Sequence, residues 1–129
     1  MNIHSPQWLW LSHEAFAKAG IDVPSDWFEF VAAAPALRDA DVIPLAMGQQ
    51  AWQTSLAFGA IMVAVGGTEL YIDVLTNKSA EAAASEDMTK VFQAYADARQ
   101  LSDGSNVQDW NQATNLVITG MAGGQFHCD

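Results

Sequence analysis

The chain has 129 residues, half of them hydrophobic and 16% charged, with 15 acidic residues against 5 basic and a formal net charge of −10. That length fits one domain, able to bury about two-thirds of the surface its unfolded chain would expose, and the composition excludes a disordered polymer. The acidity excludes a nucleic-acid partner, whose phosphates demand a basic face, and attachment to an anionic membrane surface.

In chain order the sequence opens with "MNIHSPQWLW", which lacks the basic start and clean apolar core of a signal peptide, so no export address is predicted within it. An extended stretch through Trp10 leads to Ser12, a cap for a short helix that Gly20 ends. In "IDVPSDWFEF" Pro24 punctuates and Asp26 caps a second helix. Glu29 stands three residues later in a capping-box relation, and Trp27, Phe30, Val31 and Ala34 follow at helical spacing. Pro35 is expected to distort or end that helix. "DVIPLAMG" reads as a strand or extended pass.

From Leu56 to Val65 the chain is apolar on every side. This predicts a helix enclosed by others and ended by Gly66 and Gly67, too short to span a bilayer. Thr68 is positioned to cap a short helix carrying Leu70, Tyr71, Val74 and Leu75. "SEDMTKVFQAYADARQL" is the clearest amphipathic helix, with Met88, Val91, Phe92 and Tyr95 on one face, acids in its first turn and Arg99 in its last. After the loop "SDGSN", Asp109 opens the final helix with Gln112 three residues on and Gly120 at its end. The sum is a predominantly helical α/β chain, five to seven helices against one or two extended segments. Helices with full apolar faces on so thin a sheet predict exposed apolar surface.

Signatures of catalysis are missing: the sequence contains no G-x-S-x-G, phosphate-binding loop, H-E-x-x-H or C-x-x-C. His4, His13 and His127 are too scattered for a metal site, so no metal or cofactor is expected. Cys128 is the single cysteine; a nucleophilic role would need a histidine base, and an incidental cysteine competes with that reading. Five tryptophans are the unusual feature, and Trp8, Trp27 and Trp52 are expected in the core. Trp110 differs, because it begins a helix between Asp109, Asn111 and Gln112. A flat ring beside amides and a carboxylate suits a sugar, whose C–H faces stack while its hydroxyls are hydrogen-bonded. Core packing is the competing reading for that residue too.

Taken in order, these features resemble the second-lobe segment of family 1 extracellular solute-binding proteins, the sugar-capturing components of ABC importers, and the glucose/mannose-binding branch in particular. "NIHSPQWLWLSHEAFAKAGIDVPSDWFEF" is similar to the family's crossover strand, short helix, Gly-Ile-x-x-Pro turn and Thr-Trp-x-Glu-Phe helix start, with Asp26 in the capping place. "IPLAMGQQAWQTSLAF" resembles its Pro-Leu-Ala-x-Gly-x-x-x-Trp-Gln stretch, "VGGTELY" its Gly-Gly-x-x-x-Tyr, and "DWNQATNLVITGMAGG" its Asp-Trp-Asn-x-Ala segment before a Gly-x-Ala-Ala-Met turn. In the family this turn runs through a strand into Gly-Asp-Trp, whose tryptophan stacks on the sugar; here Cys128 replaces the glycine and Asp129 matches the aspartate.

The resemblance implies a fragment, residues 1–129, forming part of one lobe of a periplasmic-binding-protein-like fold, with a non-catalytic role. It implies Trp110 as a ligand-binding residue, joined by His4 and Gln7 of the crossover segment, and leaves Trp52 mainly structural. The expected ligand is a monosaccharide or small oligosaccharide, held weakly or undetectably by the fragment alone. The expected macromolecular partner is the missing lobe or, alternatively, another copy through exposed apolar surface. No membrane insertion is expected, and the family works in the periplasm or outside the cell.

Overall fold

The computed structural model describes residues 8–127. Its centre is a three-stranded sheet ordered β1-β3-β2, built from β1 (Trp8–Leu11), β2 (Ile43–Ala46) and β3 (Ala122–His127). The strand latest in sequence lies in the middle: β3 pairs antiparallel with β1, Trp8 opposite His127 and Leu11 opposite Gly124, and parallel with β2, Leu45 opposite Gly124. That is one strand more than the sequence suggests, because "GMAGGQFH" reads as a glycine turn and carries no β-branched residue.

Why glycine is needed in β3 follows from its neighbours. A Cβ on Gly124 would lie 2.8 Å from the Trp10 carbonyl oxygen and 3.0 Å from Leu11 Cδ2; one on Gly123 would lie 2.9 Å from Leu37 Cδ1 and from the Pro44 carbonyl oxygen. The missing side chains let α2 (Trp27–Asp39) settle on the sheet. Phe16 of α1 (His13–Ala19), Phe30 and Leu37 of α2 and Leu45 of β2 are fully buried together, and Trp27 stacks on Phe30 at 5.7 Å and meets Phe126 at 5.7 Å.

The predicted caps of the first two helices form. Ser12 accepts from the Ala15 N–H, and Gly20 closes α1 with φ +70. Asp26 Oδ1 accepts from the Glu29 N–H at 2.8 Å, while Glu29 Oε2 returns to Ser25, one residue earlier than a standard box. Pro35 sits inside α2 without ending it.

The apolar run departs from expectation. Helix α3 (Ala51–Ile61) continues through a π-helical turn, Met62–Gly66, into α4 (Gly67–Tyr71) and a second π-helical turn, Ile72–Thr76. It is not enclosed: Gln53, Ala57, Ile61 and Met62 are buried, whereas Val63, Ile72 and Leu75 are exposed. By length and composition the helical run Ala51–Leu75 is sufficient to cross a membrane. Gly67, at φ +83 and ψ 167, breaks its backbone course, leaving pieces shorter than the ~20 residues a single span needs. α4 starts at Gly67, with no side-chain cap from Thr68.

The short α5 (Ala80–Ala83) leads to α6 (Glu86–Leu101), whose Met88, Val91, Ala94 and Ala98 are buried; Phe92 is exposed and meets Phe58 at 5.5 Å. Helix α7 (Trp110–Ile118) packs Ala113 against Ala46 and Ala122.

Substituting Gly124 by valine is expected to destabilise the chain by about 1–3 kcal/mol, the cost of overfilling a close-packed contact. Gly104→Ala, whose Cβ would meet Ile43 Cγ1 at an ordinary 3.4 Å, is expected to cost less. Urea denaturation of the two variants measures the difference.

Candidate saccharide-facing site

Alternation along β1 and the β1–β3 register put Trp8, Trp10, Gln125 and His127 on one face of the sheet. Leu9, Leu11 and Phe126 take the other, against the α2 core. The first face is not closed over, and Trp8 and Trp10 are 58% and 50% exposed. Trp8 therefore departs from the core position expected of it. It belongs to an edge strand on the side that α2 does not cover. The Trp10 indole N–H donates to the His127 carbonyl at 3.2 Å, tying the ring across the strand pair.

Trp110 comes to the same face from α7. Its ring lies 4.8 Å from the His127 ring at 40°, and it stays 43% exposed. Its carbonyl accepts from Gln125 Nε2 at 3.1 Å. Gln125 is itself buried, so a polar side chain of the sheet fixes the first turn of the helix that presents the indole. Gln112 Oε1 accepts from the N–H groups of Asp109 and Gln108 at 3.1 and 3.0 Å, which sets where α7 begins. Asp109 Oδ1 accepts from Gln50 Nε2 at 2.6 Å.

Trp52, expected to be structural, is 44% exposed at the start of α3, its indole N–H donating to Gln50 Oε1. Only Trp27 of the three tryptophans expected in the core is buried there. His4 and Gln7 lie outside the described residues. Trp10, Gln125 and Gln50 were not singled out by sequence. The Trp-x-Trp alternation of "WLW" was the one available signal, whereas the glutamines gain meaning only from contacts across 15 and 59 positions.

The arrangement is a surface and not an enclosed chamber. Trp110 lines neither of two hollows on the surface. One, about 510 Å³, opens between Arg38, Asp41, Ile43 and Gly104. The other, about 890 Å³, is an apolar groove between β1 and the start of α2 on one side and α3 and α4 on the other. The Trp110 surface offers flat rings with carboxylate, amide and imidazole groups at their edges. It can stack and hydrogen-bond a polyhydroxylated ring.

The chain is thus a helix-rich α/β segment with partly exposed aromatic side chains on one face of its sheet. The profile of the bacterial extracellular solute-binding protein family matches residues 1–127, and the chain belongs to that family. A probable sugar-binding periplasmic protein of Brucella suis is 33% identical over 130 residues, covering 100% of this chain and 31% of that protein. The Rhizobium meliloti protein of the same description is 30% identical with the same coverage. The chain thus spans about a third of the length of these relatives.

Among solved structures, the bacterial solute receptor AcbH, described as preferring β-D-galactopyranose, superposes with a TM-score of 0.76 at 22% identity over 97% of this chain and 32% of that one. A chitin oligosaccharide binding protein gives 0.79 at 16% identity, over 95% and 32%. The fold is that of part of a periplasmic-binding-protein-like structure.

Replacing Gln125 with leucine roughly keeps the volume and removes the cross-strand donor to the Trp110 carbonyl, which then keeps only the Thr114 hydroxyl of its own helix as a side-chain donor. The expected loss is about 1–2 kcal/mol of stability, read from thermal unfolding followed by circular dichroism.

Proposed function

We propose that the chain forms the saccharide-facing part of one lobe of an extracellular solute-binding protein, with Trp110 as its stacking residue and no catalytic step. The observation carrying this reading is the Trp110 indole, which stays 43% exposed on a helix turn whose Trp110 carbonyl accepts from the buried Gln125. Burying such a ring would stabilise the fold, so leaving it exposed on a hydrogen-bonded mount suits a ligand that covers it. His4 and Gln7 join it in the proposal as polar contributors, on the strength of the family resemblance. The relatives' names support a sugar as the ligand and a location in the periplasm or outside the cell for the whole protein.

In the complete protein two lobes close on the ligand about a hinge and present it to a transporter. Half of such a cleft, offering one mounted ring, should hold a sugar with a dissociation constant of about a millimolar or weaker. Titrating glucose, galactose and maltose while following tryptophan fluorescence tests the reading. A weak saturable change lost in Trp110→Ala is expected, and a change that survives the substitution removes the assignment.

The apolar groove favours a second reading, a module that associates through uncovered surface. Leu9, Trp27 and Phe126 line one wall and Leu56, Val63 and Leu75 the other, so an apolar segment of the remaining receptor, or a second copy, would fit there. Size-exclusion chromatography with light scattering separates the two occupants: a concentration-dependent dimer supports self-association, and a clean monomer at high concentration counts against it.

A further inference from the structure

The Gln50 side chain links one exposed tryptophan, Trp52, to Asp109, the residue that precedes another, Trp110. Gln50 immediately precedes α3 on extended backbone, with φ −69 and ψ 143. Its Nε2 donates to Asp109 Oδ1 at 2.6 Å. Its Oε1 accepts from the Trp52 indole N–H, and from Gln53 Nε2 at 3.2 Å. Asp109 is the residue before Trp110 and caps the helix that presents it. Both ends of one amide are therefore engaged, one on the mount of Trp110 and the other on the ring nitrogen of Trp52.

The indoles themselves stay 43% and 44% exposed. Hydrogen bonds on a partly solvated surface exchange with water and add little net stability. What this set does provide is placement: it ties the Trp52 ring nitrogen to the residue that opens the helix of Trp110, and both rings stay partly exposed. The Trp52 N–H is occupied, so that indole offers its face and not its donor.

We propose that Gln50 is a positioning residue joining Trp52 and Trp110 into one binding rim, with Trp52 as a second stacking plane, so that the rim fits a saccharide of two or more rings. The inference rests on the saccharide reading of Trp110 and extends it to a residue expected to be structural and to a ligand length.

Nuclear magnetic resonance of the indole N–H groups in the 129-residue chain, titrated separately with glucose, maltose and cellobiose, tests it. In the wild type at least one disaccharide should shift the Trp52 and Trp110 signals with a common dissociation constant, while glucose shifts Trp110 alone. In Gln50→Ala the Trp110 signal should still respond, the Trp52 signal should not, and disaccharide affinity should fall about tenfold, toward that for glucose. Gln50→Glu sets a carboxylate against Asp109. Two carboxylates in contact repel and the Gln50 donor is lost, so disaccharide affinity should fall at least as far as in Gln50→Ala.

A Trp52 signal unmoved by either disaccharide while Trp110 shifts overturns the inference and leaves the saccharide reading intact. No indole moved by any of the three sugars overturns both. If the Gln50 variants do not fold, Trp52→Leu at its exposed position decides the matter: disaccharide affinity is expected to drop to the glucose level, and unchanged affinity overturns the proposal.

Discussion

The close approach of β3 to its neighbours governs this structure. Two adjacent glycines, Gly123 and Gly124, bring the strand within contact of the Trp10 and Pro44 carbonyl oxygens and of the Leu37 and Leu11 side chains. With Cβ atoms there, both flanking strands and α2 would be pushed outward. Without them β3 sits between an antiparallel and a parallel partner and joins the two ends of the sequence into one sheet. The consequence reaches the site, because the same strand carries Gln125 and His127 under the Trp110 ring.

The sheet divides labour between its faces. Toward α2, Leu9, Leu11 and Phe126 join Phe30 and Trp27 in a dry core, where burial of aromatic and aliphatic area supplies the stabilisation. On the opposite side, Trp8 and Trp10 remain in solvent beside Trp110. Exposed rings of this size forgo the free energy of burial. Their retention, with the Trp10 and Trp52 ring nitrogens tied down, points to covering by something outside these residues. The chain spans about a third of the relatives it matches, and the apolar groove beside α3 marks a further surface left without cover.

Local chemistry was legible in the sequence. Ser12, Asp26 and Asp109 act at the helix starts where hydrogen-bonding side chains are expected, and Gly20 ends α1 in the left-handed conformation. The amphipathic pattern of α6 places Met88 and Val91 correctly. Relations between distant segments were hidden. The composition of "GMAGGQFH" does not announce a central strand, since its pairing is decided by the space glycine leaves and not by strand propensity, and only the family resemblance implied a strand there. The run from Leu56 to Val65 is apolar all round, yet composition cannot reveal which of those faces lacks a neighbour. Trp52 and Trp8 carry no local mark distinguishing a core ring from a mounted one; the distinction arises from Gln50 and from the edge position of β1. The exposed place of Trp110 at the start of α7 was legible because its polar neighbours are adjacent in sequence.

One side of the sheet is core, and on the proposed function the other faces a saccharide. Hydroxyl-radical footprinting read residue by residue in a mass spectrometer, with and without a saturating disaccharide, tests this division most directly. The account predicts fast oxidation of Trp8, Trp10 and Trp110 in the free chain, slow oxidation of Trp27 throughout, and protection of Trp110 when the sugar is present. Trp27 oxidising as fast as Trp110, or Trp110 oxidising equally fast in the presence of the sugar, would contradict it.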